Sequence, residues 1–377
     1  MYSSAPGKRL FVLRARLARG LTLQAIVGLV TCLSLLLLLL GGAAYALACT
    51  WVEITAGHPF ASGLWSLTAV SLALCAVVCC EVVFSVAPRP DGVRLRREDA
   101  EALFGVLDSM AQALDIVPVQ EVFISGEMNA HIHQRPAWGV VGPLRTRLTL
   151  GLPLAHSLSP VQFAAVLAHE LAHLAAQRRG WSGVAGALRA WWARTLDRAS
   201  AHFVLIADWL DSTSLAYCLS MLRLSRIEEF EADALAARLV GSRLMGEALV
   251  EVSLKSHFLE NDYWPHVEAG NTSPADPSLR PYRDMALGVE AGFMRTLSNH
   301  AVAIEAAVVD SFAFHPSLQR RLNALRVPCR VPEANPMSAA VHFLEQVLPG
   351  LAQAFDRAWW SASLESRRLR YEMLHDA

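Results

Sequence analysis

The sequence predicts a mainly α-helical protein with a small β-sheet, attached to an N-terminal two-helix transmembrane hairpin. Three observations predict it. Two uncharged, strongly apolar runs, Leu21 to Val52 and Ile54 to Cys80, open the chain. Short β-like runs separated by Gly and Pro follow at Glu121–Ser125, Trp138–Val141 and Arg147–Leu150. From Ser159 to about residue 325 helical spacing dominates. The composition agrees: 54% of the 377 residues are hydrophobic and 18% charged, with a mean hydropathy of +0.33. A typical soluble domain is about 45–50% apolar and about 25% charged, so this chain is too apolar for one. Bulk disorder is excluded for the same reason. The formal net charge of −1 leaves no electrostatic case for nucleic acid.

A helix needs about 20 apolar residues to cross the hydrocarbon core, and both runs supply them. Transmembrane helices are expected at 21–48 and 62–87, after a basic cytosolic N-terminus at 1–20. The first run is too long for a cleaved signal peptide and is followed at once by a second span. Glu81, near the end of that span, reads as a carboxylate reaching toward the headgroups rather than a buried functional one. Lys8, Arg9, Arg14, Arg16 and Arg19 precede the first span, and Arg89, Arg94, Arg96 and Arg97 follow the second. The connecting loop has neither Lys nor Arg. The positive-inside rule then puts both termini and everything after about residue 90 in the cytosol, on a multi-pass protein of the cell's inner (cytoplasmic) membrane. The cysteines agree. Cys32, Cys49, Cys75, Cys79 and Cys80 lie in or beside the apolar runs, Cys218 and Cys329 are isolated, and all read as free thiols.

Residues 98–330 read as one folded domain, with 331–377 as a C-terminal helical extension. A helix at 99–114 carries Leu103, Val106, Leu107, Met110 and Leu114 on one side. Ser159-Pro160-Val161-Gln162 marks a helix start, with Ser as N-cap, Pro at the first position and Gln closing a capping box. The Pro/Asn/Asp-rich segment around 261–282 is expected to be a surface loop. Region 181–224 combines Trp181, Trp191, Trp192 and the apolar Phe203–Ile206 with Arg189, Arg194, Arg198, Asp208 and Asp211. A further membrane hairpin there would bury those charges, so helices lying at the interface are preferred. Trp359-Trp360 admits the same interfacial reading or ordinary core packing.

The helix beginning at Ser159 contains His169-Glu170-Leu171-Ala172-His173. Histidines at i and i+4 share one helical face, so both imidazoles reach one tetrahedral Zn²⁺. Glu170 falls where it can take a proton from an attacking water and pass it to the leaving amine. A catalytic zinc needs a third protein ligand and an open fourth position. The metzincin pattern requires Gly at 176 and His at 179; Ala176 and Arg179 exclude it. The gluzincin pattern requires a Glu on a later helix with an Asp one turn on, and Glu229-Phe230-Glu231-Ala232-Asp233 supplies it. Glu229 becomes the third ligand, and Asp233 can accept the free N–H of a ligand imidazole. Alone, the acidic run including Glu228 and Glu231 would read as a solvated helix face.

Together with Ser225-Arg226-Ile227-Glu228, these motifs resemble those of the HtpX heat-shock protease and CAAX prenyl protease group of membrane-anchored gluzincins. The resemblance implies an α+β zincin-type metalloprotease domain holding one Zn²⁺ per chain. Asn129-Ala130 resembles the group's edge strand that holds the substrate backbone. His315-Pro316-Ser317 with Arg321-Leu322 resembles its His-Pro segment, which approaches the metal from the far side and places His315 on the oxyanion and Arg321 with the substrate. The sequence departs from the group at His131-Ile132-His133, where an aromatic and then a small residue usually follow Asn-Ala, and it has too few spans for a prenyl protease. His58-Pro59 is a second His-Pro, in the loop between the spans. His131, His133, His202 and His300 read as surface or hydrogen-bonded core histidines, with His131 and His133 kept as a cleft-lining hypothesis. The expected function is a membrane-anchored zinc endopeptidase acting on polypeptides, membrane proteins among them, in quality control or regulated processing. The alternative is a catalytically inactive, zinc-stabilised membrane scaffold or adaptor, which would have no use for the proton shuttle of Glu170. A transporter subunit or receptor would leave the zinc residues unexplained. Nothing in the sequence specifies an oligomeric state.

Overall fold

The computed structural model describes residues 5–84, 92–138, 141–177, 182–269, 279–293, 315–332 and 337–375. Two long helices, α1 (Ala5–Thr55) and α2 (Pro59–Val83), open the chain. After β1 (Val93–Leu95) and α3 (Glu101–Ala113) come β2 (Glu121–Ser125), β3 (Ala130–Trp138) and β4 (Val141–Gly151). The helices α4 (Leu152–Ser157), α5 (Pro160–Gln177), α6 (Ser182–His202) and α7 (Ala207–Val240) follow. Next, α8 (Ser242–Phe258) passes through a π-helical turn, Leu259–Tyr263, into α9 (Trp264–Ala269). Helices α10 (Pro281–Leu287), α11 (Leu318–Leu325), α12 (Ala339–Leu344) and α13 (Leu348–His375) complete the order. The fold is mainly helical with one small sheet, as expected.

The chain divides into two compact units. The first comprises Met1–Pro88, Gln134–Arg145 and Arg179–Ile227. Among the described residues, α1 and α2 are the helices long and apolar enough to cross a membrane. The helices do not stop at the bounds of 21–48 and 62–87 expected for the spans. Helix α1 has 51 residues and runs back through most of the basic segment 1–20, because Leu, Arg and Ala there are good helix formers. Helix α2 ends at Val83, and residues 85–87 lie outside the described residues. Between the two helices Gly57 sits at φ +78°, a left-handed conformation that favours glycine, and Pro59 opens α2.

Helix α6 and the first part of α7 pack on this hairpin. The Trp191 Nε1–H donates to the Val83 carbonyl at 2.8 Å, and Arg189 Nη1–H donates to Thr22 Oγ1 at 3.0 Å. The Tyr217 hydroxyl donates to the Leu21 carbonyl at 3.2 Å. Trp192 lies against Gly28, where any Cβ would come within 2.5 Å of the indole. Region 181–224 is therefore helical, as expected, and Arg189, Trp191 and Tyr217 find partners on the hairpin; Trp181 lies outside the described residues.

The second unit comprises Arg89–His133, Thr146–Arg178 and Glu228–Ala377. Its sheet has the order β1-β2-β4-β3, with β1 antiparallel to β2 and β2 parallel to β4. Val122 pairs with Leu148 and Ile124 with Leu150, a buried row facing the helices. The expected strand Trp138–Val141 is not one strand: Trp138 ends β3 and Val141 begins β4. Strand β3 is an edge. Helix α5 starts as the capping box dictates: Ser159 N–H donates to Gln162 Oε1 at 3.0 Å, and Gln162 N–H donates back to Ser159 Oγ at 3.3 Å. Phe163, Leu167 and Leu171 bury one side of α5 against the sheet and α3, while Ala165 and Ala168 bury another in the cluster formed by α8 and α11.

Two expectations about the C-terminal half change. The segment 331–377 is not an appendage, because Ala339, Phe343, Leu344, Leu351 and Phe355 belong to the same core cluster as Leu103 and Leu148. Trp360 packs within this unit, its Nε1–H donating to the Leu279 carbonyl at 3.0 Å. The stretch 261–282 is also not simply a loop. Residues to Ala269 continue the α8–α9 helix and Pro281 starts α10, where Tyr263 and Tyr282 are anchored on the Pro281 and Gly126 carbonyls.

Candidate active site

Helix α5 has two buried sides, and between them it presents His169, Glu170 and His173 toward Glu229 and Asp233 of α7. His169, Glu170, Glu229 and Asp233 are all buried. The ring nitrogens His169 Nε2 and His173 Nε2 are 3.2 Å apart. His169 Nε2 lies 3.6 Å from Glu229 Oε2, and His173 Nε2 lies 3.3 Å from Glu229 Oε1. Three ligands on a tetrahedral ion with bonds of about 2.0–2.1 Å stand roughly 3.3 Å from one another, so this triangle has the dimensions of a metal site. The chemistry fits as well. His169 Nδ1 lies 3.0 Å from Asp233 Oδ1, though not in well-aligned hydrogen-bond geometry, and its Nε2 faces Glu229. Glu229 Oε2 is buried without a well-aligned hydrogen-bond donor, although His315 Nδ1 and Arg321 Nη2 approach to 2.8 and 3.4 Å. Two lone pairs and a carboxylate converging in a buried place call for a cation.

Behind the triangle, Arg321 of α11 grips Asp233 with both arms of its guanidinium, Nε–H to Oδ2 at 2.8 Å and Nη2–H to Oδ1 at 2.6 Å. Burial alone would raise the pKa of Glu229, but His173, His315, His169 and Arg321 outweigh it and hold the carboxyl well below the usual range. Asp233 is held low in the same way, burial being overcome by Arg321 and His169. Both carboxylates are ionised at neutral pH.

The edge strand reaches the same place. The Ile132 N–H donates to Glu170 Oε2 at 3.1 Å. Asn129 is exposed, and its carbonyl accepts from Gly151 N–H at 2.7 Å, which turns the backbone groups of residue 129 toward β4. Alternation then turns those of Ala130 and Ile132 toward the free edge. Gly151 permits this approach, since a Cβ there would stand 1.7 Å from the Glu127 carbonyl oxygen. The His131 and His133 rings stack in parallel, with centroids 5.4 Å apart.

The structure thus gathers His169, Glu170, His173, Glu229, Asp233, His315 and Arg321 within the second unit. His315, in the segment leading into α11, has a largely exposed side chain whose Nδ1 faces the Glu229 carboxylate. Arg321, expected with the substrate, is instead almost buried and engaged with Asp233 and Glu229, because a guanidinium fork matches a buried carboxylate better than open solvent. His202 is exposed at the end of α6, and His300 lies outside the described residues. His58 pairs with Glu53 at 2.8 Å in the turn between α1 and α2. The contact that sequence reasoning missed is Ile132 to Glu170, which a backbone donor makes without any side-chain signature.

Comparison with known proteins follows the same lines. No curated protein matches the sequence. The crystal structure of S. mikatae Ste24p is similar at 15% sequence identity and a TM-score of 0.30, over 80% of this chain and 67% of that one. Residues 106–328, more than half of the chain and spanning every residue of the site, match Peptidase family M48. The chain belongs to Peptidase family M48, a family of metalloproteases.

Proposed function

We propose that the protein is a zinc endopeptidase anchored in the inner membrane by the α1–α2 hairpin, with its catalytic unit in the cytosol, acting in quality control or regulated processing of polypeptides. The observation that carries the reading is the triangle of His169, His173 and Glu229, whose ligand atoms lie within 4.8 Å of one another. A zinc ion held there would supply Lewis acidity and lower the pKa of a water molecule toward about 7.

The chain's own groups do the rest. An extended substrate adds to the free edge of β3, paired with Ala130 and following Asn129. Glu170, held by the Ile132 amide, takes a proton from the attacking water and hands it to the leaving amine. Asp233 fixes the tautomer and tilt of His169, and Arg321 holds Asp233. His315 has its Nδ1 on Glu229, which leaves Nε2 as the ring nitrogen available to a developing oxyanion.

The test compares wild type with Glu170→Gln in metal content and casein cleavage. Full zinc with cleavage reduced at least about 100-fold, as expected when a general base is removed, supports the enzyme. Full zinc with unchanged cellular function would favour the scaffold.

A further inference from the structure

We propose that the corner between α6 and α7 is a second membrane contact, seated among the headgroups of the bilayer beside the hairpin. It rests on the reading of α1 and α2 as membrane-crossing. The corner is made by Phe203, Leu205 and Ile206 and by Trp209 in the first turn of α7. Leu205 is fully exposed, and Trp209, Ile206 and Phe203 are 65%, 49% and 37% exposed. The turn is ordered by its own backbone, with Phe203 N–H donating to Ala199 and Ile206 N–H to Phe203. Four large apolar side chains left this exposed on a built turn need an apolar partner.

The hairpin gives the level of this corner. Leu196 and Ala199, just before it, and Leu210, just after it, are buried in one cluster with Leu21 and Val82. Leu21 is the first residue of the uncharged run, and Val82 lies at the end of α2. The corner is therefore level with the place where the hairpin passes from charged to apolar sequence, which is headgroup depth for a chain that crosses there. Aromatic and aliphatic side chains at that depth gain apolar contact while the flanking charges stay hydrated. Arg16 and Arg19 on α1, Arg198 on α6 and Glu81 on α2 are exposed at the same end, the mixed charge of a surface at headgroup depth. Asp197, Asp208 and Asp211 are also exposed there and would stay on the aqueous side. A full span through the corner is disfavoured by those same charges.

The full chain, reconstituted in phosphatidylcholine–phosphatidylglycerol vesicles, would carry one genetically encoded fluorophore at position 205 or, for comparison, at position 37. Lipids spin-labelled near the headgroup or deep in the acyl chain, and aqueous iodide, serve as quenchers. The expected result is strongest quenching at 205 by the shallow label and at 37 by the deep one. Quenching at 205 by iodide alone, with 37 still quenched by lipid, overturns the corner and spares the hairpin. Deep quenching at 205 would mean a further span, and shielding from both lipid and iodide a protein partner; either overturns the proposal. If 37 is not quenched by lipid, the hairpin reading itself fails. Replacing Leu205 and Trp209 by Ser should weaken the shallow quenching of a probe at 206 several-fold.

Discussion

Arg321 shows how much of the site is held from behind. Its guanidinium, almost buried, is the group that allows Asp233, itself buried, to stay charged against His169. Removing one partner of a buried pair leaves the other uncompensated, so Arg321→Met should destabilise the protein by about 3–5 kcal/mol in thermal or denaturant unfolding. Arg321→Lys should recover only part of this, because an ammonium cannot reproduce the two-armed grip on Asp233. Zinc affinity should fall roughly 10- to 100-fold in both, since the Asp233 carboxylate would no longer steady His169. Wild-type zinc affinity in Arg321→Met would detach Arg321 from the metal site. A second buried group sets a pH dependence. His156 in α4 has both ring nitrogens without a hydrogen-bond partner among the described residues, and burial pushes its pKa down to about 4. The unfolded chain takes up this proton near pH 6.5 and the folded one only near pH 4. The contribution of His156 is thus fully present above about pH 6.5 and declines as pH falls through that window, by about 3 kcal/mol at pH 4. His156→Phe should flatten the fall of melting temperature between pH 6.5 and 4; an identical slope in the two proteins would assign it to other groups.

At the scale of elements, β3 does two things at once. Its free edge is where a substrate strand would add, and its Ile132 amide holds the carboxylate of Glu170. Hydrogen bonds to charged groups are worth about 1.5–3 kcal/mol. Ile132→Pro, which removes this donor on an edge strand that tolerates proline, should lower kcat by about 10- to 100-fold with zinc content unchanged. Ile132→Ala keeps the N–H and should keep most of kcat. Equal losses in the two would place the effect in packing. The edge strand was legible at Asn129-Ala130, but the Ile132–Glu170 contact was not, since a backbone donor is present at every non-proline position and only the fold aims it. The helix of His169 and His173 was legible because Ser159, Pro160 and Gln162 write a helix start in side-chain chemistry and the histidines repeat at the helical period. Glu229 and Asp233 were legible by the same one-turn spacing. The helix limits of α1 were not, because the change from Arg19 to Leu21 marks an expected change of solvent, whereas the helix continues wherever backbone and propensity allow. The 261–282 stretch failed for a related reason: its Pro and Asn residues suggest a loop, yet the helix begun by α8 continues past Pro265 to Ala269, and Pro281 falls in the first turn of α10, where a missing N–H costs nothing.

For the whole molecule, the question is which side of the membrane receives the site. Helix α1 is roughly 76 Å long at 1.5 Å per residue, far more than the ~30 Å hydrocarbon core, so part of it must project into water. The basic residues decide which part. Lys8, Arg9, Arg14, Arg16 and Arg19 all lie before Leu21, while the last turn of α1 carries Glu53 and the turn after it His58, with no Lys or Arg. Arg94, Arg96 and Arg97 follow α2 within the distance over which basic residues orient a span. The projecting end of α1 should therefore be cytosolic, and the Gly57 turn should be on the far side. That turn is exposed and short, and an insertion in it disturbs no buried contact. A reporter active only after export should be active when inserted at Gly57 and silent when fused after Arg97, and a cytosol-dependent reporter should give the opposite pattern. Changing Arg14, Arg16 and Arg19 to Asn while adding three Lys to the Gly57 turn should shift a measurable fraction of chains to the inverted orientation. Export of the fusion after Arg97 in the unaltered protein would place the catalytic unit outside the cytosol and remove the cytosolic part of the functional proposal, while leaving the metal site as it stands.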